Sequence, residues 1–409
     1  MPQEYRVMRA LVTGSRLPFA IEQIRKLGRM GHEVHASDAL WSAPGNHSRF
    51  SAGHVVTAPP RHEPEQFVRD IVQYLREHPI DRLIPSFEEV FYLARHRRQI
   101  EAHTELFAPS YDVLAALHDK STMVELAQEL GVDVAPTLLA RDRAELEAAC
   151  RDFPRFFARP AYTRGGVTLF TNAGPLAGVV RLEDCHPTPE NPYLVQPFLD
   201  GRDLCTHSIV HHGRVAAHVS YIHPLTLEHA GGIVFESVVV PETLRVTRLV
   251  AEATGYHGQI SFDFMETEQG IYLVECNPRP TAGLTVMPDA IFDDGMMERT
   301  GGETLVGPAG VQRKLSLALL RNMVVHWESL PENLAALASK TPDIYADPDD
   351  LVPLFSQLFA YGKVLKYRLA NGRADNRGRS DIMQGYFEDL TFDGDGTVPS
   401  FRTAARRAA

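Results

Sequence analysis

The strongest candidate for chemistry is a set of three oxygen-bearing side chains in SFDFMETEQGIYLVECNPRP, residues 261–280. The pattern predicts a β-hairpin in which one strand carries Asp263 and the returning strand carries Glu275 and Asn277. Such a hairpin brings the three together, and their oxygens suit Mg²⁺, or Mn²⁺ in its place. Glu275 interrupts an apolar run, and a buried carboxylate is costly without a cation. We therefore favour a metal site over an exposed polar sheet edge.

Strict alternation along the returning strand predicts which of its side chains share a face. It puts Leu273, Glu275 and Asn277 on one face, and Val274 and Cys276 on the other. We therefore expect Cys276 to pack in the core rather than to react.

A second motif, FARPAYTRGGVTLF at residues 157–170, combines a cation on a strand with a glycine turn. Arg159 could grip phosphate through two parallel N–H bonds, as arginine commonly does. Gly165 and Gly166 would let backbone N–H groups approach phosphate oxygens closely. The motif taken alone fits a phosphate site and a surface hairpin with solvated arginines equally well.

A third motif, YLVQPFLDGRDL at residues 193–204, ends an apolar strand in polar groups. Gln196 could hydrogen-bond an adenine edge, Leu199 could cover the ring face, and Asp203 could accept from ribose hydroxyls. A simple strand and turn remains the alternative for this piece.

The elements that must position these motifs are of two kinds. RALVTG at residues 9–14, EVHASD at 33–38 and DRLIPS at 81–86 alternate with helical patterns and predict a small parallel sheet over the first 110 residues. The turn TGSRLP after the first strand departs from GxGxxG, so dinucleotide binding is not favoured. From about 155 to 280 short strands predict an antiparallel sheet, interrupted by one helix at 243–256. The fold class is therefore α/β combined with α+β.

Three further segments give structural expectations. LSLALLRNMVVHWESL at residues 315–330 predicts a helix, and YGKVLKYRL at 361–369 predicts a strand. Glu88 and Glu89, just beyond DRLIPS, could bind a substrate ammonium group. We favour an exposed first turn of a helix, where the helix dipole stabilises acids.

Composition excludes several classes of protein. The 409 residues suffice for two or three domains, and the net charge of −11 argues against a nucleic-acid partner. No run approaches the roughly 18 apolar residues of a membrane helix, and the N-terminus lacks a secretory signal. The four cysteines are scattered without a CxxC pair, which argues against a zinc ribbon or a disulfide framework. These features predict a cytoplasmic protein.

Taken in order, the motifs resemble the ATP-grasp superfamily, and specifically its carbamoyl-phosphate-synthase-like branch. RPAYTRGG is similar to the Arg-Pro…Gly-Gly signature of that branch, QPFLDGRD to its adenine hinge and ribose acid, and YLVECNPRP to its closing metal motif. HDK at residues 118–120, before a helix and GVDVAPT, is similar to the entry into the first ATP-binding subdomain, which makes Lys120 a further phosphate cation. The resemblance covers roughly residues 5–290 and leaves the last hundred unexplained.

The chain departs from the family pattern at two positions. Asp263 stands where Glu or Gln is commoner, and Gln196 stands where Glu is frequent, although a glutamine amide still offers an acceptor. The resemblance adds two candidate catalytic residues. His229 falls where the synthases place a histidine near the phosphates, and Arg279 could orient a carboxylate or stabilise a tetrahedral oxyanion.

The resemblance implies an N-terminal Rossmann-like domain at 1–110, an ATP-grasp domain at 111–300 with a small subdomain at about 120–200, and a C-terminal extension at 301–409. It implies a ligase that uses ATP and Mg²⁺ to join a small-molecule carboxylate to an amine through an acyl phosphate, releasing ADP and phosphate. An ATP-dependent small-molecule kinase and a non-catalytic nucleotide-sensing module remain alternatives. The resemblance leaves open whether the protein is a homodimer.

Overall fold

The computed structural model of the chain describes residues 6–163, 168–227, 231–325, 329–363, 366 and 385–394. Within these ranges three β-sheets and thirteen α-helices form the protein. No helix in the described ranges is both long enough and apolar enough to cross a membrane.

The N-terminal region is built on a parallel sheet. Its strands are β1 Arg9–Val12, β2 Glu33–Asp38, β3 Ser51–Val56, β4 Arg82–Ile84 and β5 Glu105–Leu106. Its helices are α1 Pro18–Arg29, α2 Pro64–Glu77, α3 Glu89–Arg95, α4 Arg97–Ile100 and α5 Tyr111–His118. The sheet order is β3-β2-β1-β4-β5, with every pair parallel. The predicted parallel sheet over the first 110 residues is confirmed.

A small antiparallel sheet follows. Its strands are β6 Leu138–Ala140, β7 Phe156–Pro160, β8 Phe170–Thr171 and β9 Tyr193–Pro197, and its helices are α6 Lys120–Glu129 and α7 Arg143–Asp152. The order is β6-β9-β7-β8. Asp119 starts α6 because its carboxylate accepts from the backbone N–H groups of Ser121 and Thr122. This cap fixes Lys120 at the first helical position, where its side chain can turn toward β7.

The largest sheet has seven strands and is mainly antiparallel. Its strands are β10 Arg202–His211, β11 Arg214–Leu227, β12 Gly231–Val238, β13 Gly258–Thr267, β14 Gly270–Asn277, β15 Leu305–Val306 and β16 Gln312–Lys314. The order is β14-β13-β10-β11-β12-β16, and β15 pairs with β11 in parallel. The helices of this region are α8 Pro241–Thr254, α9 Gly283–Val286 and α10 Asp289–Met296. The predicted antiparallel sheet is therefore two sheets.

One hydrophobic core joins the N-terminal region to the large sheet. Ile84 and Phe87, at the end of β4, belong to the same buried cluster as Cys205, Tyr221 and Leu284. Each large apolar side chain buried in this way contributes about 1.5–3 kcal/mol. The loop after β4 is therefore held against the large sheet, where it can take part in a site.

The C-terminal region contributes helices α11 Ser316–Val325, α12 Leu330–Ala338 and α13 Val352–Ala360. The helix predicted over 315–330 is confirmed as far as Val325. The strand predicted over 361–369 is wrong at its start, because the Tyr361 N–H donates to the Gln357 carbonyl and the chain continues the helical bonding of α13. Residues 364, 365 and 367–369 lie outside the described residues. Since β16 adds to the large sheet, residues beyond 300 support the same core, and the predicted domain boundaries stay predictions.

Candidate active site

The predicted hairpin is formed by β13 and β14, and it brings the three proposed metal ligands together. Asp263 lies directly opposite Glu275, and Ser261 lies opposite Asn277. The Asn277 side-chain nitrogen donates to Asp263 Oδ2 at 2.9 Å. The three side chains therefore form one cluster at the end of the hairpin.

A β-bulge interrupts the alternation of side-chain faces that was predicted for β14. Phe264 pairs with Leu273 and Asp263 pairs with Glu275, so Val274 is an extra residue on one strand. Leu273 and Cys276 consequently lie in the same hydrophobic core. The prediction that Leu273 shares a face with Glu275 is wrong, because the bulge turns Glu275 away from the core and onto the face of Asp263.

The oxygen donors of this cluster fit a hard divalent cation. Asp263 lies opposite Glu275, and burial, and secondly this neighbouring carboxylate, raises the pKa of Asp263 to about 6. No cluster of three or more His, Cys, Asp or Glu that could hold a metal occurs among the described residues. A cation here would be held by two carboxylates and the Asn277 amide, a set that matches Mg²⁺ sites completed by phosphate and water.

Two cations face Glu275 from the neighbouring elements. Arg159, on β7, donates from Nη1 to Glu275 Oε2 at 3.1 Å and from Nη2 to the bulged Val274 carbonyl at 2.6 Å. Lys120 Nζ lies 3.4 Å from Glu275 Oε1 and donates to the Thr163 carbonyl at 2.6 Å. The small sheet and the hairpin are thus joined through one carboxylate.

Burial and neighbouring charges shift the pKa values of the ionisable groups in this cluster. Burial lowers the pKa of Lys120 and of Arg159, although the Glu275 charge acts to raise both. Burial acts to raise the pKa of Glu275, but Lys120 and Arg159 hold it below its ordinary value. Arg159 Nε is buried and has no hydrogen-bond partner among the described residues. Two buried cations, of which Arg159 has an unpaired N–H among the described residues, are suited to a further anion.

The third motif lies on β9, on the turn after it and on the start of β10. Gln196, on β9, is buried, and its amide nitrogen donates to Thr137 Oγ1 at 2.8 Å. Its predicted adenine contact stays a prediction. Leu199 is half-buried between β9 and β10, and Asp203 is exposed near the start of β10. Gly201 permits this turn because a Cβ there would lie 2.3 Å from the carbonyl oxygen of Glu266.

Two apolar residues that share a strand face with predicted site residues were not identified from the sequence. Phe157 pairs with Gln196 and lies two residues before Arg159 on β7, and the Arg159 guanidinium lies 5.4 Å from its ring centroid. Met265 lies opposite Asp203 and two residues beyond Asp263 on β13. Alternation from the recognised site residues would have identified both, since neighbours two apart share a face. They are candidates for the apolar walls of a base pocket.

Arg279 meets the N-terminal region at the end of β14. Its guanidinium lies 4.4 Å from the ring centroid of Phe87, and its Nη2 lies 4.0 Å from Glu88 Oε1. Its positive charge also acts on both carboxyls: it opposes the rise that burial causes in the pKa of Asp263, and it adds to the lowering of the Glu275 pKa by Lys120 and Arg159. Arg279 therefore stands between the metal-type cluster and the loop after β4.

The expectation that Glu88 and Glu89 form an exposed helix start is wrong in part. Helix α3 does begin there, but both side chains are fully buried. Glu89 Oε1 accepts from Thr13 Oγ1 and from the backbone N–H groups of Ser86 and Phe87. Glu88 Oε2 accepts from the backbone N–H of Phe392 at 2.8 Å. Glu89 thus stabilises the loop, while Glu88 faces Arg279.

Direct contacts and strand pairing bring together five predicted site residues: Lys120, Arg159, Asp263, Glu275 and Asn277. The charge of Arg279 acts on both carboxylates, and Gln196 lies on the same face of the small sheet as Arg159. Leu199 follows β9, and Asp203 lies near the start of β10. Gly165, Gly166 and His229 lie outside the described residues, so their assignments stay predictions.

Similarity to known proteins agrees with this geometry. No family model matches the chain. The arginine-specific carbamoyl phosphate synthase large chain of Halalkalibacterium halodurans is 21% identical over 319 residues, which are 72% of this chain and 30% of that protein. The chain therefore matches less than a third of the length of that relative.

Two solved structures share most of the fold. An ADP complex of N5-carboxyaminoimidazole ribonucleotide synthetase has a TM-score of 0.55 at 13% identity, covering 80% of this chain and 86% of that one. The biotin carboxylase domain dimer of Hydrogenobacter thermophilus 2-oxoglutarate carboxylase, in complex with MgADP, ADP and bicarbonate, has a TM-score of 0.54 at 14% identity, covering 74% and 71%. The chain therefore shares its fold with these two structures and is similar in sequence to the carbamoyl phosphate synthase large chain.

Proposed function

We propose that the protein is an ATP-dependent ligase that joins a small-molecule carboxylate to an amine and releases ADP and phosphate. One observation carries the proposal: Glu275 is held by Arg159 and Lys120 on one side and lies beside Asp263 on the other. A triphosphate with its metal ion would give both cations an anion and both carboxylates a cation. The solved structures with this fold that hold ADP, one of them as MgADP, support the same nucleotide here.

The first step would transfer the terminal phosphoryl group. A carboxylate oxygen of the substrate attacks the γ-phosphorus, the bond to the bridging oxygen breaks, and ADP leaves with that electron pair. Arg159 and Lys120 would stabilise the charge that spreads over the phosphoryl oxygens, a task that needs positioned cations rather than covalent chemistry. Asp263, Glu275 and Asn277 would hold Mg²⁺, which when bound neutralises phosphate charge.

The second step would form the new bond. The amine nitrogen attacks the acyl carbon, the C–O bond to phosphate breaks, and the nitrogen loses a proton to give the amide. Arg279 would orient the carboxylate beforehand and stabilise the tetrahedral oxyanion, since its guanidinium stands beside the cluster and its buried Nε has no hydrogen-bond partner among the described residues. Holding both reactants in line would supply much of the rate.

An assay for ADP and phosphate with paired carboxylates and amines tests this proposal. Phosphate release that requires both substrates supports a ligase. ADP with a phosphorylated product and no amide would indicate a kinase, and nucleotide binding without turnover would indicate a sensor.

Glu275→Gln should reduce turnover by at least about a thousandfold, because the amide removes the charge that pairs with both cations and the metal. Glu266→Gln is the matched control, since Glu266 lies on the same hairpin but pairs with Arg202 at the surface. Equal activity of the two variants would contradict the metal assignment.

A further inference from the structure

Helix α13 presents an apolar side that is exposed rather than packed against the protein. Five large side chains in and directly before the helix are between 48% and 70% exposed: Leu351, Val352, Phe355, Leu358 and Phe359. Spacings of three, four and seven residues put them on one side of the helix, which we call the α13 face. The opposite side, with Pro353, Ser356 and Ala360, is buried. Exposed apolar patches of this kind mark interaction sites.

The α13 face is large enough to form most of a protein interface. A leucine or phenylalanine side chain that is half exposed offers on the order of 100 Å² of apolar surface, so the five offer roughly 500 Å². A groove of about 370 Å³ borders the face, because Leu354 in its wall lies one turn before Leu358. Trp41, 66% exposed, follows Leu40, which packs against the cluster that contains Ala360. These surfaces together approach the roughly 800 Å² that each partner contributes to a standard interface.

The charged residues at the two ends of α13 indicate which partner fits the face. The helix itself carries no charged side chain. Asp347 and Lys363 flank it and already form ion pairs within the chain. Asp349 before the helix and Lys366 beyond it are exposed. A complementary surface is therefore apolar in the middle, basic beside Asp349 and acidic beside Lys366.

A second copy of the α13 face meets this description. A two-fold axis perpendicular to α13 makes the two copies of the helix antiparallel, and each copy then offers the same patch to the other. Asp349 of each copy would face Lys366 of the other, and Phe355 and Phe359 would meet the partner's apolar side chains or enter its groove. An anionic membrane surface would attract Lys366 but repel Asp349, so it fits only one end of the face.

We infer that the α13 face is the interface of a homodimer in which two copies of α13 pack antiparallel about a two-fold axis. No residue of the α13 face belongs to the candidate active site. The inference therefore stands or falls independently of the proposed ligase chemistry.

Sedimentation velocity of the full chain from nanomolar to high micromolar concentration tests the inference, and we expect two chains per particle in the micromolar range. Phe359→Glu should raise the dissociation constant of the dimer at least about a hundredfold, because it buries a carboxylate in the apolar interface twice per dimer. Val239→Glu is the matched control. Val239 is also apolar and 54% exposed, but it lies between β12 and α8, so its replacement should leave the constant unchanged.

An exchange of charges tests the antiparallel arrangement. Asp349→Lys or Lys366→Asp alone would place like charges opposite each other twice per dimer, and each should weaken dimerisation by about fivefold to tenfold at low salt. The double variant restores both pairs with their signs reversed and should recover the native dissociation constant. A double variant that dimerises as weakly as the single ones would overturn the antiparallel packing.

Three other results would overturn the dimer. The chain could stay monomeric throughout the concentration range, or Phe359→Glu and Val239→Glu could affect the dimer equally, which would place its interface elsewhere. Binding of the monomeric chain to vesicles of phosphatidylcholine and phosphatidylglycerol, lost in Phe359→Glu, would assign the face to a membrane. A monomeric chain that dimerises only after deletion of residues 367–384 would show that its own segment occupies the face.

Discussion

Two buried arginines, Arg16 and Arg159, lie beside carboxylates in different parts of the molecule, and their surroundings differ in charge balance. Arg16 follows β1 and is enclosed by Asp38 and Asp389, with contacts of 2.6 Å and 2.8 Å. It also donates to the Tyr386 carbonyl at 2.9 Å. Burial acts to lower its pKa, but the two carboxylates outweigh burial and hold the pKa of Arg16 above its ordinary value.

Around Arg159 the ratio is reversed, with more cations than carboxylates in direct contact. It shares Glu275 with Lys120, so two cations meet one carboxylate directly, and the pKa of each cation lies below its ordinary value because of burial. A balanced cluster such as that of Arg16 serves the fold, because every donor finds an acceptor within the chain. A cluster with surplus cations and an unpaired buried N–H is a place for an anion from outside.

The largest expected effect is on stability, because replacing Arg16 should destabilise the protein much more than replacing Arg159. Arg16→Met leaves Asp38 buried without its paired cation, although Asp389 keeps its ion pair with Lys363. We expect the free energy of unfolding to fall by about 3–5 kcal/mol. The same substitution at Arg159 leaves Glu275 with Lys120, so the loss should stay below about 1 kcal/mol. Urea denaturation of both variants measures the difference, and similar losses would mean that the Arg159 cluster is structural too.

The second expected effect is on nucleotide affinity, which should depend on Arg159 and not on Arg16. Arg159→Met removes charge-assisted hydrogen bonds to phosphate, each worth about 1.5–3 kcal/mol, so MgATP affinity should fall about 10- to 100-fold. Arg16→Met, assayed at a temperature where it is folded, should bind MgATP as the native chain does. Calorimetric titration decides this, and an unchanged affinity in Arg159→Met would remove the phosphate role of β7.

Local patterns were enough to predict much of this fold. The apolar runs at 9–14 and 81–86 became β1 and β4, and the hairpin of Asp263 and Glu275 forms with the expected partners. These predictions depend on periodicity and turn chemistry, which neighbouring residues determine.

The wrong predictions share one cause, which is that they depend on contacts with residues distant in the sequence. The bulge at Val274 depends on how β13 and β14 pair, and no residue type in IYLVECN marks it. The burial of Glu88 and Glu89 depends on Phe392, Arg279 and Thr13, which come from distant parts of the sequence. A carboxylate near a helix start is stabilised by the dipole whether it is exposed or buried, so sequence alone could not separate the two cases.

The smallest expected effect is on the pH dependence of stability. It concerns a third kind of buried polar group, one whose hydrogen-bond partners are all neutral. His218 is enclosed by the hydroxyls of Ser208, Ser220 and Thr243, at 2.8–3.2 Å. Burial, and secondly the charge of Arg248, lowers the pKa of His218 to about 3. Between about pH 6.5 and 3 the unfolded chain therefore binds a proton there that the folded chain excludes.

Stability should consequently fall as the pH falls through this window, by about 1.4 kcal/mol per pH unit for this residue. His218→Gln keeps an amide among the hydroxyls but cannot titrate, so its unfolding free energy should fall less steeply between pH 6 and 5. Urea denaturation at pH 7.5, 6 and 5 provides the two slopes. If the unfolding free energies of the native chain and His218→Gln fall with equal slopes, His218 is protonated equally in the folded and unfolded states. In that case the three hydroxyls would accommodate a charged imidazole as readily as the carboxylates accommodate Arg16.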